Sequence, residues 1–187
     1  MDRQPSLEGR TLLLRPLAPD DWDALYAVAS DPLVWEQHPA SDRWQEPVFR
    51  AYFADALAGK GALTVIDKAS GRIIGGSRMQ AYDQANGGSV EIGWTFLARG
   101  HWGGATNREM KRLMLAHALN YVERVDFRIG ENNLRSRRAM EKIGGRLSDR
   151  DGGVIDSVSG PVRHVVYEIT RESFAAGPLS GNQTSAS

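Results

Sequence analysis

The sequence predicts an α/β chain of the α+β kind, and three observations carry that prediction. Runs of strand length and helical stripes follow one another in the order β-α-α-β-β-β-α-β-α-β-β. From Ala62 the apolar pattern loses its helical period, and turns rich in Gly, Asn and Ser separate three successive strand runs. Hydrophobic residues at 41% of 187 positions supply one core, which favours a single domain.

Taken in order, TLLLRPL from Thr11 is a short apolar strand stopped by Pro16. APDDWDALYAVAS is a helix with acidic residues in its first turn, where they complement the helix dipole. The aromatic connection DPLVWEQHPASDRW leads to a second helix, EPVFRAYFADALAGKG, closed by glycine. ALTVID, RIIGGSRMQAYD and SVEIGWTFL make an antiparallel meander across the turns KASG and QANGG. The third helix, REMKRLMLAHALNYV, carries Met110, Leu113, Met114, Ala118 and Tyr121 as one stripe, expected to lie on the sheet. His117, on that stripe, is expected to be a hydrogen-bonded core histidine and not a catalyst. RVDFRIG is the next strand, LRSRRAMEKIGG a short basic helix, and RLSDR with PVRHVVYEIT a closing hairpin. The domain is expected to span residues 7–173, with residues 174–187 a disordered polar tail.

The 23 basic and 23 acidic side chains cancel, which removes the net field that non-specific nucleic-acid binding needs. The absence of cysteine excludes disulfides, thiolate metal sites and an acyl-enzyme on a thiol. The histidines show no spacing with carboxylates for a metal site, so no metal is expected. No run approaches the ~20 apolar residues of a membrane span, and MDRQPSLEGR holds no apolar leader segment; a cytoplasmic location is expected.

The segment RGHWGGATN, from Arg99 to Asn107, joins a strand to the third helix. A helix start exposes unpaired backbone N–H groups and the positive end of the dipole, and glycines let an anion come close. Trp102, Gly103, Gly104, Ala105, Thr106 and Asn107 thus fit a diphosphate cradle, and a flexible turn equally well. The nucleotide P-loop would need a Gly-Lys-Ser/Thr that is missing. The dinucleotide fingerprint would put Ala105 and Arg108 where glycines belong.

A third pattern fits. Gly103-x-Ala105, preceded by Trp102 and followed by Glu109, resembles the pyrophosphate loop of GNAT-superfamily N-acetyltransferases, particularly the RimJ/RimL-like branch with its Trp-Gly-x-Gly. The Gln/Arg that heads the family loop falls on Gly100, with Arg99 one place early. Asn133-Leu134-Arg135-Ser136, followed by Glu141-Lys142-x-Gly144, is similar to the family's second signature. LLLRPLAPDDWDAL, VEIGW and HVVYEI extend the similarity over Leu7 to Thr170. The resemblance implies the GNAT fold, a central mixed, mostly antiparallel sheet of about seven strands flanked by four helices. That sheet opens between its fourth and fifth strands, here Ser89 to Leu97 and Arg124 to Gly130, to take a pantetheine arm. The resemblance also implies acetyl-coenzyme A as acetyl donor, an amine acceptor, direct transfer in a ternary complex, and often a homodimer.

Carried over residue by residue, the resemblance implies backbone pairing of the pantetheine near Thr95, Phe96 and Leu97. An alkyl ammonium must lose a proton before it attacks an acyl carbon. Glu91 is the implied base; the alternative is an outward strand residue. Many family members place a Tyr where this chain has Met140; Ser136 occupies the alternative position of the RimJ/RimL-like branch, so the resemblance implies Ser136 as the group that stabilises the thiolate and Asn133 as a hydrogen-bond partner of the pantetheine or of the strand end. Both residue types also favour helix caps. Arg138 is the implied partner of the 3′-phosphate. Trp35, Glu36, His38 and Tyr82, with Trp44 and Asp83, are implied to line an amine pocket, where aromatics and acids suit a cation, or else to pack as ordinary loop residues. Protein N-termini and small-molecule amines both fit as acceptors. Two other readings stay open: a coenzyme A binding module without turnover, and an RNA-binding protein using the Arg-rich short helix, which the zero net charge disfavours.

Overall fold

The computed structural model describes residues 1–158 and 160–180. Among them one sheet holds eight strands: β1 (Leu7–Glu8), β2 (Leu12–Pro16), β3 (Ala62–Asp67), β4 (Arg72–Asp83), β5 (Ser89–Leu97), β6 (Arg124–Gly130), β7 (Arg146–Ser157) and β8 (Gly160–Thr170). Their order across the sheet is β1-β2-β3-β4-β5-β6-β8-β7. The α-helices are α1 (Trp22–Ala29), α2 (Glu46–Ala58), α3 (Ala105–Ala118), α4 (Leu134–Lys142) and α5 (Arg171–Ala175).

The expected α/β class and mostly antiparallel sheet are found, with eight strands in place of about seven and five helices in place of four. β1 is two residues long, too short to show a period, and forms only because Leu7 and Glu8 pair with Leu14 and Leu13. α5, five residues long, is held by its cap, Thr170 Oγ1 accepting from the Ser173 N–H at 3.1 Å. β7 runs well past RLSDR, because register shifts on both sides of Asp151 absorb the extra residues against β8. The polar tail starts later than residue 174: α5 continues to Ala175, and Leu179 is buried at 2% exposure. Residues 181–187 of that tail lie outside the described residues.

The sheet is covered on both faces. On one, Met110, Met114, Leu115 and Ala118 of α3 join Val90, Ile92, Val125, Phe127 and Met140 in the larger core. On the other, Leu25 and Ala29 of α1 and Phe49 and Phe53 of α2 close on Phe96. The expected α3 stripe holds except at Tyr121, which lies past the helix and is 54% exposed. His117 is not in the core: it is half-buried, and its Nε2 lies 2.7 Å from the Asp2 carbonyl, tethering the N-terminal segment. Glu109 ties α3 to the β1–β2 turn, accepting from the Thr11 N–H at 2.8 Å and the Thr11 hydroxyl at 2.5 Å.

A buried polar knot fixes α1 to the sheet. Asp21 accepts from Arg15 at 2.6 and 2.8 Å, from the Ala18 N–H at 2.9 Å and from the Thr64 hydroxyl at 2.8 Å. Burial alone would raise the Asp21 pKa, yet these donors overcome it and hold the carboxyl below the usual aspartate value.

Candidate active site

Among the described strands β5 and β6 are the single parallel pair, and α3 is the crossover that joins them. They pair at Ser89↔Arg124, Val90↔Val125 and Glu91↔Asp126. Beyond Glu91 no rung forms, although β5 continues to Leu97 and β6 to Gly130. The result is a V-shaped opening whose apex is the Glu91–Asp126 rung.

One arm of the V carries a bulge. Trp94 and Thr95 of β5 stand opposite Ser77 alone of β4, and Trp94 takes a φ of 53°. Such a φ is an outlier for a bulky residue and costs about 1–3 kcal/mol. Tyr52 of α2 braces it, its hydroxyl donating to the Trp94 carbonyl at 3.0 Å.

At the apex Glu91 keeps 12% of its side chain exposed and lies 3.9 Å from the Arg128 guanidinium of β6. Burial raises its pKa above the ordinary glutamate value, Arg128 opposes that rise and nearby Asp126 adds to it. A carboxylate with a raised pKa, half-shielded at the point where the strands part, is suited to take a proton.

From the α3 side Lys111, which no sequence motif marks as a site residue, enters the same gap. It is 5% exposed, and Nζ donates to Thr95 Oγ1 on β5 at 2.8 Å while lying 5.5 Å from the Phe127 ring centre on β6. The Thr95 hydroxyl is 2.7 Å from that of Ser77. No carboxylate pairs with Lys111 among the described residues, and burial lowers its pKa to about 7. Its position four residues after Asn107, on the buried side of α3, is the signal that could have found it.

The glycine loop sits where β5 turns into α3. Gly103 has a φ of 69°, and a Cβ built on it or on Gly100 would meet nothing within 4 Å. Gly104 is the N-cap of α3 and supplies no side-chain cap, so the first backbone N–H groups of the helix, with Ala105, Thr106 and Asn107, keep an open approach. Trp102 is already engaged. Its indole N–H donates to the Leu97 carbonyl at 2.8 Å, and the Arg135 guanidinium lies 4.2 Å over its ring. Arg99, standing ahead of the loop, pairs with Asp31 at 2.5 Å. Phe96 and Leu97 turn their side chains into the two cores, leaving only main chain at the V.

At the second junction Asn133 is the N-cap of α4, Oδ1 accepting from the Ser136 N–H at 3.1 Å. The capping alternative for Asn133 is thus realised, while the Ser136 hydroxyl is half-buried without a protein partner among the described residues. Arg138 is exposed. Arg135 reaches from α4 to the Val34 carbonyl at 3.1 Å, so it spans from the segment after α1 to the glycine loop.

The acceptor candidates divide. Trp35 is 1% exposed, its indole donating to the Ala29 carbonyl at 2.7 Å, so it is core wall and not pocket lining. His38 stacks edge-on against Trp35, and burial, followed by Arg43, His164 and Arg135, lowers its pKa to about 3. It is neutral, and Nδ1 accepts from the Ala40 N–H at 3.0 Å. Glu36 is exposed. Tyr82 packs on the other face of the sheet against the α3 core, so it does not meet the other three, because a left-handed Ala81 interrupts the alternation of β4. Trp44 is 40% exposed, and Asp83 caps a turn by accepting from the Ala85 N–H at 2.9 Å. No cluster of His, Cys, Asp and Glu suited to a metal ion occurs among the described residues.

The sequence matches the acetyltransferase (GNAT) domain family over residues 11–146. No curated protein matches it. The fold is similar to that of a GCN5-related N-acetyltransferase from Brucella melitensis, 22% identical over 95% of this chain and 82% of that one, with a TM-score of 0.81. It is similar to a GNAT-family acetyltransferase from Bacillus anthracis, 21% identical over 90% and 99% of the two chains, with a TM-score of 0.74. Mycobacterium smegmatis RimJ in complex with CoA-disulfide aligns at 18% identity over 86% and 82%, with a TM-score of 0.65. With its V between the two parallel strands and a family match that spans most of its length, the chain belongs to the GNAT acetyltransferases.

Proposed function

We propose that this acetyltransferase moves an acetyl group from acetyl-coenzyme A directly onto a primary amine held over the open end of β5 and β6. The carrying observation is the V itself, with an uncapped glycine-lined helix start at its wide end and Glu91 at its apex. The open space above Gly100 and Gly103 fits a diphosphate, and the unpaired main chain of β5 fits an extended arm that adds like a strand. The donor, when bound, supplies the activated acyl carbon.

The chain's own residues then divide the work. Backbone N–H groups from Gly104 to Asn107 bind the diphosphate, and Arg138 stands on the exposed face of α4 for the 3′-phosphate. Main chain around Thr95 holds the pantetheine, with Lys111 donating to an acceptor atom of that arm across the gap. Glu91 receives the proton of the acceptor ammonium, and Ser136 offers its free hydroxyl to the departing sulfur. Asn133 serves by fixing the start of α4. Trp102-Gly103 and the likeness to RimJ support the RimJ/RimL-like branch.

Thiol release from acetyl-coenzyme A with a panel of small amines and N-terminal peptides tests this reading. Tight binding of the donor with no release from any acceptor would replace it with a binding module, the reading that Met140, buried and unable to donate a proton, keeps in play.

A further inference from the structure

The segment between α1 and α2 arches over the open end of the V. Pro39 lies against Gly130, the last residue of β6. His38 feels His164 of β8 and Arg135 of α4. Tyr52 of α2 grips the Trp94 bulge on the other arm. Under this arch lies Arg43, its guanidinium 4.6 Å from the Tyr52 ring centre and 5.1 Å from that of Trp35.

Arg43 is the anomaly of this region. Its Nη1 is closed to solvent and has no hydrogen-bond partner among the described residues. Arg78, 4.2 Å from the same Tyr52 ring, also has a buried Nε without a partner, but its Nη atoms are paired, with Asp55 at 2.6 Å and the Tyr52 carbonyl at 2.7 Å. Asp42 lies near Arg43 and favours its charge without forming an ion pair. Neighbouring acids are spoken for, since Glu91 faces Arg128 and exposed Glu36 acts on Arg135. The nearest imidazole, His38, is neutral. Two aromatic rings lie against the Arg43 guanidinium and its Nη1 is closed to solvent, yet no carboxylate pairs with it among the described residues. A desolvated, pre-oriented guanidinium matches a planar carboxylate with two parallel hydrogen bonds. An expectation of acids and aromatics suited to a cation gives way to a locally positive arch.

Resting on the acyl-transfer reading above, we infer that Arg43 binds a carboxylate carried by the acceptor, which is therefore a small amino acid-type molecule and not a protein N-terminus. The field that draws the carboxylate also helps the chemistry, because a nearby fixed cation disfavours the ammonium form of the acceptor amine. Less proton then has to be passed to Glu91.

The test compares acceptors that differ only in the carboxylate: free amino acids against their methyl esters and decarboxylated amines, with N-terminal peptides as a further arm. The wild type is expected to favour free amino acids by about 30-fold or more in kcat/KM, the scale of a charged hydrogen-bonded pair. Arg43→Met should erase that preference through KM, with coenzyme A affinity and melting temperature kept close to wild type. Arg43→Lys, which keeps charge and most of the packing, should retain part of it. Binding of N-acetyl amino acids and of their methyl esters to the coenzyme A-loaded protein, followed by calorimetry, gives the same comparison without turnover. It therefore judges the carboxylate contact even if no acceptor releases thiol, the result that would count against acyl transfer itself. Equal use and equal binding of esters and acids by the wild type would overturn the inference, as would a preference for N-terminal peptides that Arg43→Met leaves intact.

Discussion

Glu91 of β5 and Asp126 of β6 form the last rung between the two strands, and the two part beyond it. One side of the rung is ordinary sheet. On the other side the main chain of β5 is free, a carboxyl with a raised pKa stands at the edge, and Lys111 reaches into the gap.

Replacing Glu91 with Gln should lower kcat by about 100-fold, the usual contribution of a positioned base, with little change in coenzyme A affinity. Its raised pKa fixes the sign of the acid limb. Wild-type activity should climb with pH through a value above that of an ordinary glutamate, and the variant should lose that limb. A pH profile of thiol release decides it; an unchanged limb in the variant would remove Glu91 from the role.

Gly103→Val should weaken coenzyme A binding by about tenfold or more. The side chain would fill the open approach to the start of α3 and oppose a φ of 69°, which a β-branched residue adopts only under strain. Calorimetric titration measures the loss, and a melting curve separates it from unfolding.

Lys111→Met should raise the melting temperature at neutral pH, because an unpaired buried charge is exchanged for an apolar side chain of similar length. The linkage has a definite sign. With the folded pKa near 7 and the unfolded value near 10.5, the unfolded chain binds more protons in between, so Lys111 makes the wild type gain stability as pH rises across that window. Denaturant unfolding of the two proteins at several pH values should show the extra slope in the wild type alone. Weaker coenzyme A binding by the variant would mark the contact with the donor arm.

Asp21→Ala should destabilise the fold by about 3 kcal/mol, since it leaves Arg15, the Ala18 N–H and Thr64 without their common acceptor. The folded pKa of Asp21 is depressed. Its contribution is present above the unfolded value and is lost as pH falls through the folded one. Acid unfolding monitored by circular dichroism should be less steep in the variant.

The strands of the meander were legible residue by residue: ALTVID, RIIGGSRMQAYD and SVEIGWTFL are β3, β4 and β5 with the bounds that their turns suggest. The glycine loop was legible as an uncapped helix start, because no residue with a capping side chain stands at Gly104. β1 and α5 were not, since two to five residues carry no period and depend on a partner or a cap. On the acceptor side the packing alternative is realised for Trp35 and Tyr82. Trp35 and Tyr82 look alike as aromatic loop and turn residues, but one is sealed in the α1–α2 core and the other packs against the opposite face of the sheet.

The sequence by itself determined the order of elements, the glycine-rich, uncapped start of α3, the capping junction at Asn133 and the family, because each rests on contacts within a few residues of chain. Only the tertiary structure decided which charges stand alone. Arg15, Arg43, Arg78 and Lys111 read alike as basic residues; folding gives Asp21 to the first and Asp55 to the third, and leaves half-buried Arg43 and buried Lys111 without a carboxylate among the described residues. Pairing and desolvation of a charge depend on partners distant in the chain, and those partners become neighbours only when the sheet has formed.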